Sequence, residues 1–352
     1  EIPVGVTEIG SFAFDDCSGL TGIKIPSSVT SIGNRAFYGC SGLTSIVVEA
    51  DNTVYDSRDD CNAIIKKETN TLIHGCKNTK IPSSVTRIGE RAFWDCSELT
   101  SIEIPSSVTR IGYGAFDGCS GLTSITVEAG NAMYDSRDNS NALIETKTNT
   151  LILGCKSTKI PSSVTSIGSA AFQFCEGLTS ITIPEGVTSI GESAFEGCSG
   201  ITSISFPTGM TSIGYKAFRG CSGLTNITLP KGVTSIGSAA FESCSGLKSI
   251  TLSEGMTSIE SYAFSDCGRL TSITLPAGVT NIGDGAFKNC SSLKSITLPE
   301  GVTGIGERAF ESCSGLTSIM LPESMEKIGI YAFMDCNGLT SITLPEGVTS
   351  IG

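Results

Sequence analysis

The stretch Leu178–Gly200 reads LTSITIPEGVTSIGESAFEGCSG, and most of the remaining chain repeats it. Twelve of the fifteen cysteines mark the repeat, and from Cys175 onward they follow one another every 23 residues. The intervals Cys40 to Cys96 and Cys119 to Cys175 are each 56 residues, which is 23 plus an insert of 33. A fixed period of this length is the signature of a repeat architecture.

Within one repeat the apolar residues hold fixed positions. The segment Ile181–Ile183 alternates apolar and hydroxyl side chains, which predicts a strand with one buried face. Pro184 has no N–H to donate, so it ends the strand. After Gly191 the residues Glu-Ser-Ala-Phe are interpreted as one helical turn. Glu260 replaces this glycine in one copy, so we expect that a positive φ is not required there.

A single repeat buries too few large apolar side chains to offset the entropy of ordering its backbone. Stacked copies share one core and hydrogen-bond to one another, which is how a solenoid is built. Each coil then adds one strand to a parallel sheet. We therefore predict one solenoid domain that spans residues 1–352.

The consensus LxxIxIPxxVxxIGxxAFxxCxxL resembles the leucine-rich repeat superfamily, and more closely its BspA-like, Treponema-type branch. LTSITIP matches the LxxLxL strand of the family, and AFxxC matches the Phe and Cys positions of that branch. The resemblance covers essentially the whole chain outside the inserts. It implies a parallel β-sheet on the concave side of the solenoid and short helical turns on the convex side.

The inserts, residues 49–78 and 128–157, are near copies of each other. Two short strands joined by a polar turn are predicted in each, which indicates either a β-hairpin extending from the solenoid edge or an oversized coil continuing it. The sequence Tyr55–Arg58 recurs as Tyr134–Arg137. A local Asp–Arg ion pair with the Tyr packed on it is favoured there over a ligand contact.

The repeat cysteines lie three residues after a core Phe, where a small apolar side chain is wanted, so we predict a ladder of buried, reduced thiols. Disulfides between neighbouring coils and metal binding are weaker alternatives. Cys61 and Cys76 of the first insert are a further candidate pair. Ser140 replaces the first of these two cysteines in the second insert, so the fold of the insert does not need that bond.

A net charge of −12 argues against binding to nucleic acid or to an anionic membrane surface. No apolar run is long enough to span a membrane, and no signal peptide is recognised. Because the chain begins at a strand and stops within a coil, we expect it to be an excerpt of a longer protein or to have its ends covered by partners.

Catalytic chemistry is not expected. The only histidine, His74, corresponds to Leu153 in the second insert, so its position tolerates an apolar side chain. No nucleophile motif, phosphate-binding loop or metalloprotease motif is present. We predict no catalytic residue, no cofactor and no metal site.

The predicted strand face presents nearly uniform rows of Ser and Thr, which suits a repetitive ligand such as a glycan chain or an extended polypeptide, or no ligand at all. Variation is instead concentrated around the AF turn. We expect partner binding there and at the inserts, because exposed aromatic residues are typical of contact sites. The candidate residues are Tyr38, Trp94, Tyr113, Phe174, Tyr262 and Tyr331.

These patterns favour a non-enzymatic, secreted or cell-surface protein that mediates adhesion. Resemblance to BspA-like proteins implies attachment to host matrix proteins or to other cells. Two alternatives stay open: a glycan-binding module, and a structural spacer or surface-layer component whose coils assemble end to end.

Overall fold

The computed structural model describes residues 1–352, which form two compact units, Glu1–Lys159 and Ile160–Gly352. Each unit is a parallel β-solenoid of 23-residue coils, which confirms the predicted repeat fold. Continuity of one domain over residues 1–352 stays a prediction. No helix in the structure is both long enough and apolar enough to cross a membrane.

The first unit contains fourteen strands and three short 3₁₀ turns. The strands are β1 (Glu8–Ile9), β2 (Gly22–Ile25), β3 (Ser31–Ile32), β4 (Ser45–Val48), β5 (Tyr55–Asp56), β6 (Ala63–Lys66), β7 (Thr71–Gly75), β8 (Arg87–Ile88), β9 (Ser101–Ile104), β10 (Arg110–Ile111), β11 (Ser124–Val127), β12 (Tyr134–Asp135), β13 (Leu143–Glu145) and β14 (Thr150–Leu153). The 3₁₀ turns are Arg58–Asp60, Lys67–Thr69 and Arg137–Asn139.

The second unit contains fourteen strands. They are β15 (Ser166–Ile167), β16 (Ser189–Ile190), β17 (Ser212–Ile213), β18 (Asn226–Thr228), β19 (Ser235–Ile236), β20 (Ser249–Thr251), β21 (Ser258–Ile259), β22 (Ser272–Thr274), β23 (Asn281–Ile282), β24 (Ser295–Thr297), β25 (Gly304–Ile305), β26 (Ser318–Met320), β27 (Lys327–Ile328) and β28 (Ser350–Ile351).

Each regular coil of the second unit carries two ladders of parallel strands. The first ladder, β18-β20-β22-β24-β26, forms the strand face, and its register advances by one repeat per coil, as between Ile250 and Ile273. Ser249 and Thr251 of β20 are exposed while Ile250 is buried, so the predicted alternation is confirmed. The second ladder pairs the two-residue strands that end in Ile, and it is formed by β15-β16-β17-β19 and by β21-β23-β25-β27-β28.

The third side of each coil is the turn segment, which runs from the repeat glycine to the repeat cysteine, as in 191–198. It is a series of hydrogen-bonded turns, and the predicted helical turn is not formed. The reason is that two residues per segment, here Ser193 and Gly197, have left-handed φ values of 51° and 72° and interrupt the helical hydrogen-bond pattern. Alternate N–H groups therefore point along the solenoid and bond to the next coil, as Ser193 N does to Tyr215 O at 2.8 Å.

The repeat glycine allows neighbouring coils to pack closely. None of these glycines has a positive φ, as expected, but a Cβ atom on Gly237 would lie 2.3 Å from the Tyr215 nitrogen. Gly237 N also donates to Ile213 O at 2.8 Å, whereas Glu260 makes no such bond. The Phe241–Phe264 ring separation beside Glu260, 5.8 Å, is the widest in the phenylalanine stack of this unit.

Phenylalanine and cysteine side chains form the core beneath the turn segments. The Phe rings of neighbouring coils stack almost parallel, with centroids 5.2 Å apart for Phe195 and Phe218. Cys17 is exposed and the other cysteines are buried, which confirms the predicted burial of the thiol ladder, whereas the reduced state stays a prediction. The sulfur also has a polar role, because Cys221 Sγ donates to Phe195 O at 3.0 Å. Burial raises the pKa of the Cys96 thiol to about 12.

Each insert is an oversized coil built on a hairpin. In the first insert β6 and β7 are antiparallel, and β7 then pairs in parallel with β8 of the following coil. His74 of β7 packs against Phe37 with ring centroids 5.3 Å apart and the ring planes tilted by 40°, next to the end of the Phe14–Phe37 stack. Asp56 and Arg58 form the predicted ion pair at 2.7 Å. Cys61 and Cys76 are both buried free thiols.

Replacing Gly237 by Ala should lower the free energy of unfolding of the second unit by about 1–3 kcal/mol, because the added methyl group meets the backbone of the preceding coil. Gly209 is the matched control, since a Cβ there has only one neighbour, at 3.7 Å. Its replacement by Ala should leave stability unchanged or slightly higher. Guanidinium denaturation measures both variants, and equal losses would contradict the packing argument.

Replacing His74 by Leu should remove a pH-dependent loss of stability. Burial lowers the pKa of His74 from 6.5 to about 4 in the folded state, so the unfolded state binds the proton more tightly between these values. Stability contributed by neutral His74 is therefore present above pH 6.5 and is lost as the pH falls toward 4, by up to about 3 kcal/mol. Denaturation curves of both proteins from pH 7 to pH 4 measure this, and parallel curves would contradict it.

Candidate functional site

The first insert separates two turn segments of the first unit. Segments 33–40 and 89–96 follow one another along the unit, because the hairpin of the insert supplies strands but no turn segment of its own. A cavity of about 220 Å³ lies between them. It is lined by both segments together with Ile73 and His74, and we call it the turn-face cavity.

Six side chains form a continuous stack on this face, which we call the aromatic–arginine column. Tyr38 and Trp94, from the two sides of the insert, stack with centroids 5.1 Å apart. Beyond each of these rings in the stack lies an arginine: Arg35 between Tyr38 and Phe12, and Arg91 between Trp94 and Tyr113. In order along the stack, the members are Phe12, Arg35, Tyr38, Trp94, Arg91 and Tyr113.

The distances in the column are those of cation–π contacts. The guanidinium carbon of Arg35 lies 5.6 Å from the ring centres of both Phe12 and Tyr38. That of Arg91 lies 5.2 Å from the ring centre of Trp94 and 5.5 Å from that of Tyr113. Such contacts hold the guanidinium planes in place without using their N–H groups.

Three backbone N–H groups of segment 33–40 lack the acceptor that their equivalents have in other coils. In the preceding coil, Phe12 N and Phe14 N donate to carbonyl oxygens of segment 33–40 at 3.2 and 2.8 Å. The equivalent N–H groups of Arg35, Phe37 and Gly39 make no such bond, because the next turn segment lies beyond the insert. Two of these three unpaired donors, the N–H groups of Arg35 and Phe37, belong to residues that line the turn-face cavity.

On the other side of the insert, two carbonyl groups of segment 89–96 lack a backbone hydrogen-bond donor. Gly75 N donates to Ala92 O at 2.9 Å, but the Glu90 and Trp94 carbonyl oxygens accept no backbone N–H. The turn-face cavity is therefore bordered by donors on one side and by acceptors on the other. Buried backbone groups of this kind normally find partners.

Arg35 differs from the other arginines of the turn face. Arg219 lies between Glu196 and Glu242, at 2.9 and 2.8 Å. Arg308 and Arg91 also contact carboxylates, those of Glu307 and Glu90. Arg35 alone among these has no ion pair, while its buried Nε, like those of Arg91 and Arg308, has no hydrogen-bond acceptor.

The charges at the turn-face cavity are those of Arg35, Arg91 and Glu90. His74 is uncharged near neutral pH because burial lowers its pKa to about 4. Burial and the nearby Asp95 raise the pKa of the Tyr38 hydroxyl, so this group is a neutral donor. Counted over the lining residues alone, Arg35 and Arg91 against Glu90, the balance is one net positive charge.

A larger groove of about 510 Å³ lies on the strand side of the first unit. Its charged residues are Lys80, Glu103 and Glu128. Glu128 already accepts the backbone N–H of Ser106 at 2.7 Å, and hydrogen bonds from Ser106 lower the pKa of the Glu128 carboxyl group. No group of three or more His, Cys, Asp or Glu side chains is placed to hold a metal ion.

The structure brings together three of the six aromatic residues singled out from the sequence. Tyr38, Trp94 and Tyr113 belong to the aromatic–arginine column. The other three lie in the second unit, where Tyr331 stacks on Arg308 at 5.3 Å. Phe174 and Tyr262 are exposed, and each lies over the glycine of the next coil, at Gly197 and Gly285.

Sequence reasoning missed Phe12, Arg35 and Arg91. A signal for the two arginines was present, since each lies five residues before its repeat cysteine and they flank the first insert. The phenylalanine has the same offset from Cys17. Nothing in the periodicity indicated that side chains from opposite sides of the insert would meet.

Comparison with known proteins supports the same architecture. A family model described as a BspA type leucine-rich repeat region, in 6 copies, matches residues 1–58, 64–142, 143–271 and 257–352. A search of curated proteins returned no significant match.

Solved structures of bacterial leucine-rich repeat proteins are similar to this chain. One from Eubacterium ventriosum is 24% identical with a TM-score of 0.62, covering 99% of this chain and 84% of its own. One from Bacteroides ovatus is 29% identical with a TM-score of 0.53, covering 97% and 83%. The pneumococcal vaccine antigen PcpA, 20% identical with a TM-score of 0.51 and covering 98% and 71%, shares the fold. Because the family model spans nearly the whole sequence, this chain belongs to the BspA-type leucine-rich repeat family.

Proposed function

We propose that this chain is a non-enzymatic binding scaffold of a secreted or cell-surface protein, and that it mediates adhesion to host matrix proteins or to other cells. BspA-type repeat proteins are typically surface-associated bacterial proteins, and the family is generally a non-enzymatic scaffold. The contact surface in this proposal is the aromatic–arginine column with the adjoining turn-face cavity.

The observation that supports this proposal is the aromatic–arginine column. Its outer members, Phe12 and Tyr113, are 49% and 57% exposed, although each is a large aromatic side chain. Trp, Tyr and Arg are the residue types that dominate binding energy at protein interfaces. Stacking holds them in place before a partner arrives, so little side-chain entropy remains to be lost on binding.

The residues Phe174, Tyr262 and Tyr331 of the second unit are secondary contacts in this proposal. They are exposed, but they do not form one stacked group, so each offers one ring and not a continuous surface. Several weak contacts on one scaffold add to the affinity of a stronger one when a partner can reach them together.

The strand face supports a second candidate, binding of a repetitive glycan or of an extended polypeptide. Ser249, Ser272 and Ser295 lie in register on successive strands, and so do Thr251, Thr274 and Thr297. These hydroxyl groups repeat at the spacing of parallel strands, about 4.8 Å, and suit a ligand with its own repeat. End-to-end self-association is the third candidate, and size-exclusion chromatography over a range of concentrations detects it.

We expect the double variant Trp94→Ala, Tyr113→Ala to bind a matrix-protein or cell partner about tenfold more weakly, because it removes two rings of the column. The measurement is surface plasmon resonance on a panel of immobilised collagen, laminin and fibronectin, followed by cell-attachment assays.

The matched control is the strand-face variant Ser272→Ala, Thr274→Ala, Ser295→Ala, Thr297→Ala, which should change the affinity less than about twofold. A loss confined to the strand-face variant, together with hits on a glycan array, would replace the adhesion proposal by the glycan candidate. No binding to any matrix protein or cell would reject adhesion.

A further inference from the structure

The turn-face cavity collects hydrogen-bond donors that the protein itself leaves unpaired. On one side of the first insert they are the backbone N–H groups of Arg35 and Phe37 and the buried Nε of Arg35. On the other side they are the buried Nε of Arg91 and Nε1 of Trp94. A cavity lined by such donors requires an acceptor from outside the chain.

From this arrangement we infer that the turn-face cavity binds a carboxylate, supplied by an acidic side chain of a protein partner. The inference rests on the proposed function, since it names the chemical group that a protein partner presents to the aromatic–arginine column.

A carboxylate matches the donors in number and charge. It accepts up to about four hydrogen bonds on two oxygens, and bonds from charged donors are the strong ones. The unpaired N–H groups of Arg35 and Phe37 are alternate groups of the turn segment that point along the solenoid, and both residues line the cavity. The Arg35 guanidinium is held between Phe12 and Tyr38, so it does not have to be ordered when the ligand binds.

The opposite side of the cavity favours a peptide as the source of the carboxylate. The carbonyl oxygens of Glu90 and Trp94 accept no backbone N–H. A peptide carries N–H groups on either side of an acidic side chain, so it offers donors to these carbonyls and an acceptor to Arg35 together. The cavity of about 220 Å³ is large enough for one such side chain and its flanking backbone.

The second insert does not repeat this arrangement. Gly114 and Asp117 stand where Arg35 and Tyr38 stand before the first insert. The guanidinium is therefore missing at that point, and a carboxylate takes the place of the aromatic ring. The same backbone geometry there lacks the positive charge that selects an anion.

The chain carries its own reporter for the test. Trp94 is the only tryptophan and lines the turn-face cavity, so its fluorescence reports occupancy. The intact protein is titrated with the acetylated, amidated hexapeptide GSEESG, and with GSQQSG, which has the same shape without the charges. In parallel, ¹⁵N spectra record the amide signals of Arg35 and Phe37.

We expect GSEESG to change the Trp94 emission and to shift both amide signals, and GSQQSG to bind at least about tenfold more weakly. Arg35→Ser should weaken GSEESG binding to the same degree, since Ser193 shows that this position accepts serine. Arg35→Lys, which keeps the charge as Lys216 does at the same position, should retain part of the affinity.

Arg110→Ser is the matched control, because it removes one exposed positive charge from the same unit away from the cavity. Equal binding of the two peptides, equal losses in the Arg35 and Arg110 variants, or no change in either signal would overturn the inference. A response to N-acetylneuraminic acid that depends on Arg35, with none to GSEESG, would overturn the assignment to a protein carboxylate.

These experiments distinguish a failure of the carboxylate inference from a failure of the proposed adhesion function. If adhesion is lost in the Trp94, Tyr113 variant but Arg35→Ser binds the partner normally, the column is the contact surface and the carboxylate inference is wrong. If GSEESG binds through Arg35 but no matrix protein or cell does, the anion site stands and the adhesion proposal is wrong.

Discussion

Hydrogen bonding from one coil to the next is the constraint on which the rest of the structure depends. Every coil must place its backbone N–H groups opposite the carbonyl oxygens of a neighbour on all three of its sides. The two strand ladders do this in the ordinary parallel manner. The turn segment does it only because two of its residues, such as Ser193 and Gly197, take left-handed conformations that direct alternate N–H groups along the solenoid. The repeat glycine keeps neighbouring coils close enough for these bonds to form.

The same need for hydrogen bonds between coils explains why a cysteine recurs in the core of each coil. A buried Phe carbonyl already accepts the N–H of the cysteine three residues later, and its second lone pair accepts the thiol of the next coil, as Phe195 O does from Cys198 N and Cys221 Sγ. Cysteine is small enough for the core and still carries a weak donor. Burial raises the pKa of these thiols, so they stay protonated and keep the hydrogen to donate. The ladder is thus structural, and its periodicity follows from the coil period.

The first insert satisfies this constraint only in part, and the candidate site is the consequence. Its strand β7 pairs in parallel with β8 of the following coil, and the ring of His74 packs beside Phe37. It has no turn segment, so donors of segment 33–40 and acceptors of segment 89–96 are left facing a cavity. Tyr38 and Trp94 stack across the insert and extend the column on either side. An insert that lengthens one side of a coil therefore leaves a recess on another side.

The sequence by itself determined the repeat, the parallel strands, the buried thiols, the insert hairpins and the Asp56–Arg58 pair, because each depends on local spacing that every copy repeats. It also pointed to the turn face through Tyr38, Trp94 and Tyr113. The tertiary structure alone decided that the AF segment is a chain of turns, since bonds to a neighbouring coil outweigh the local preference for a helical turn. It alone placed Arg35 between Phe12 and Tyr38 and left its donors unpaired. The contacts of Arg35 and its unpaired donors arise where an insert separates two coils. There, residues that are far apart in the sequence come into contact, and the repeat period no longer predicts which ones.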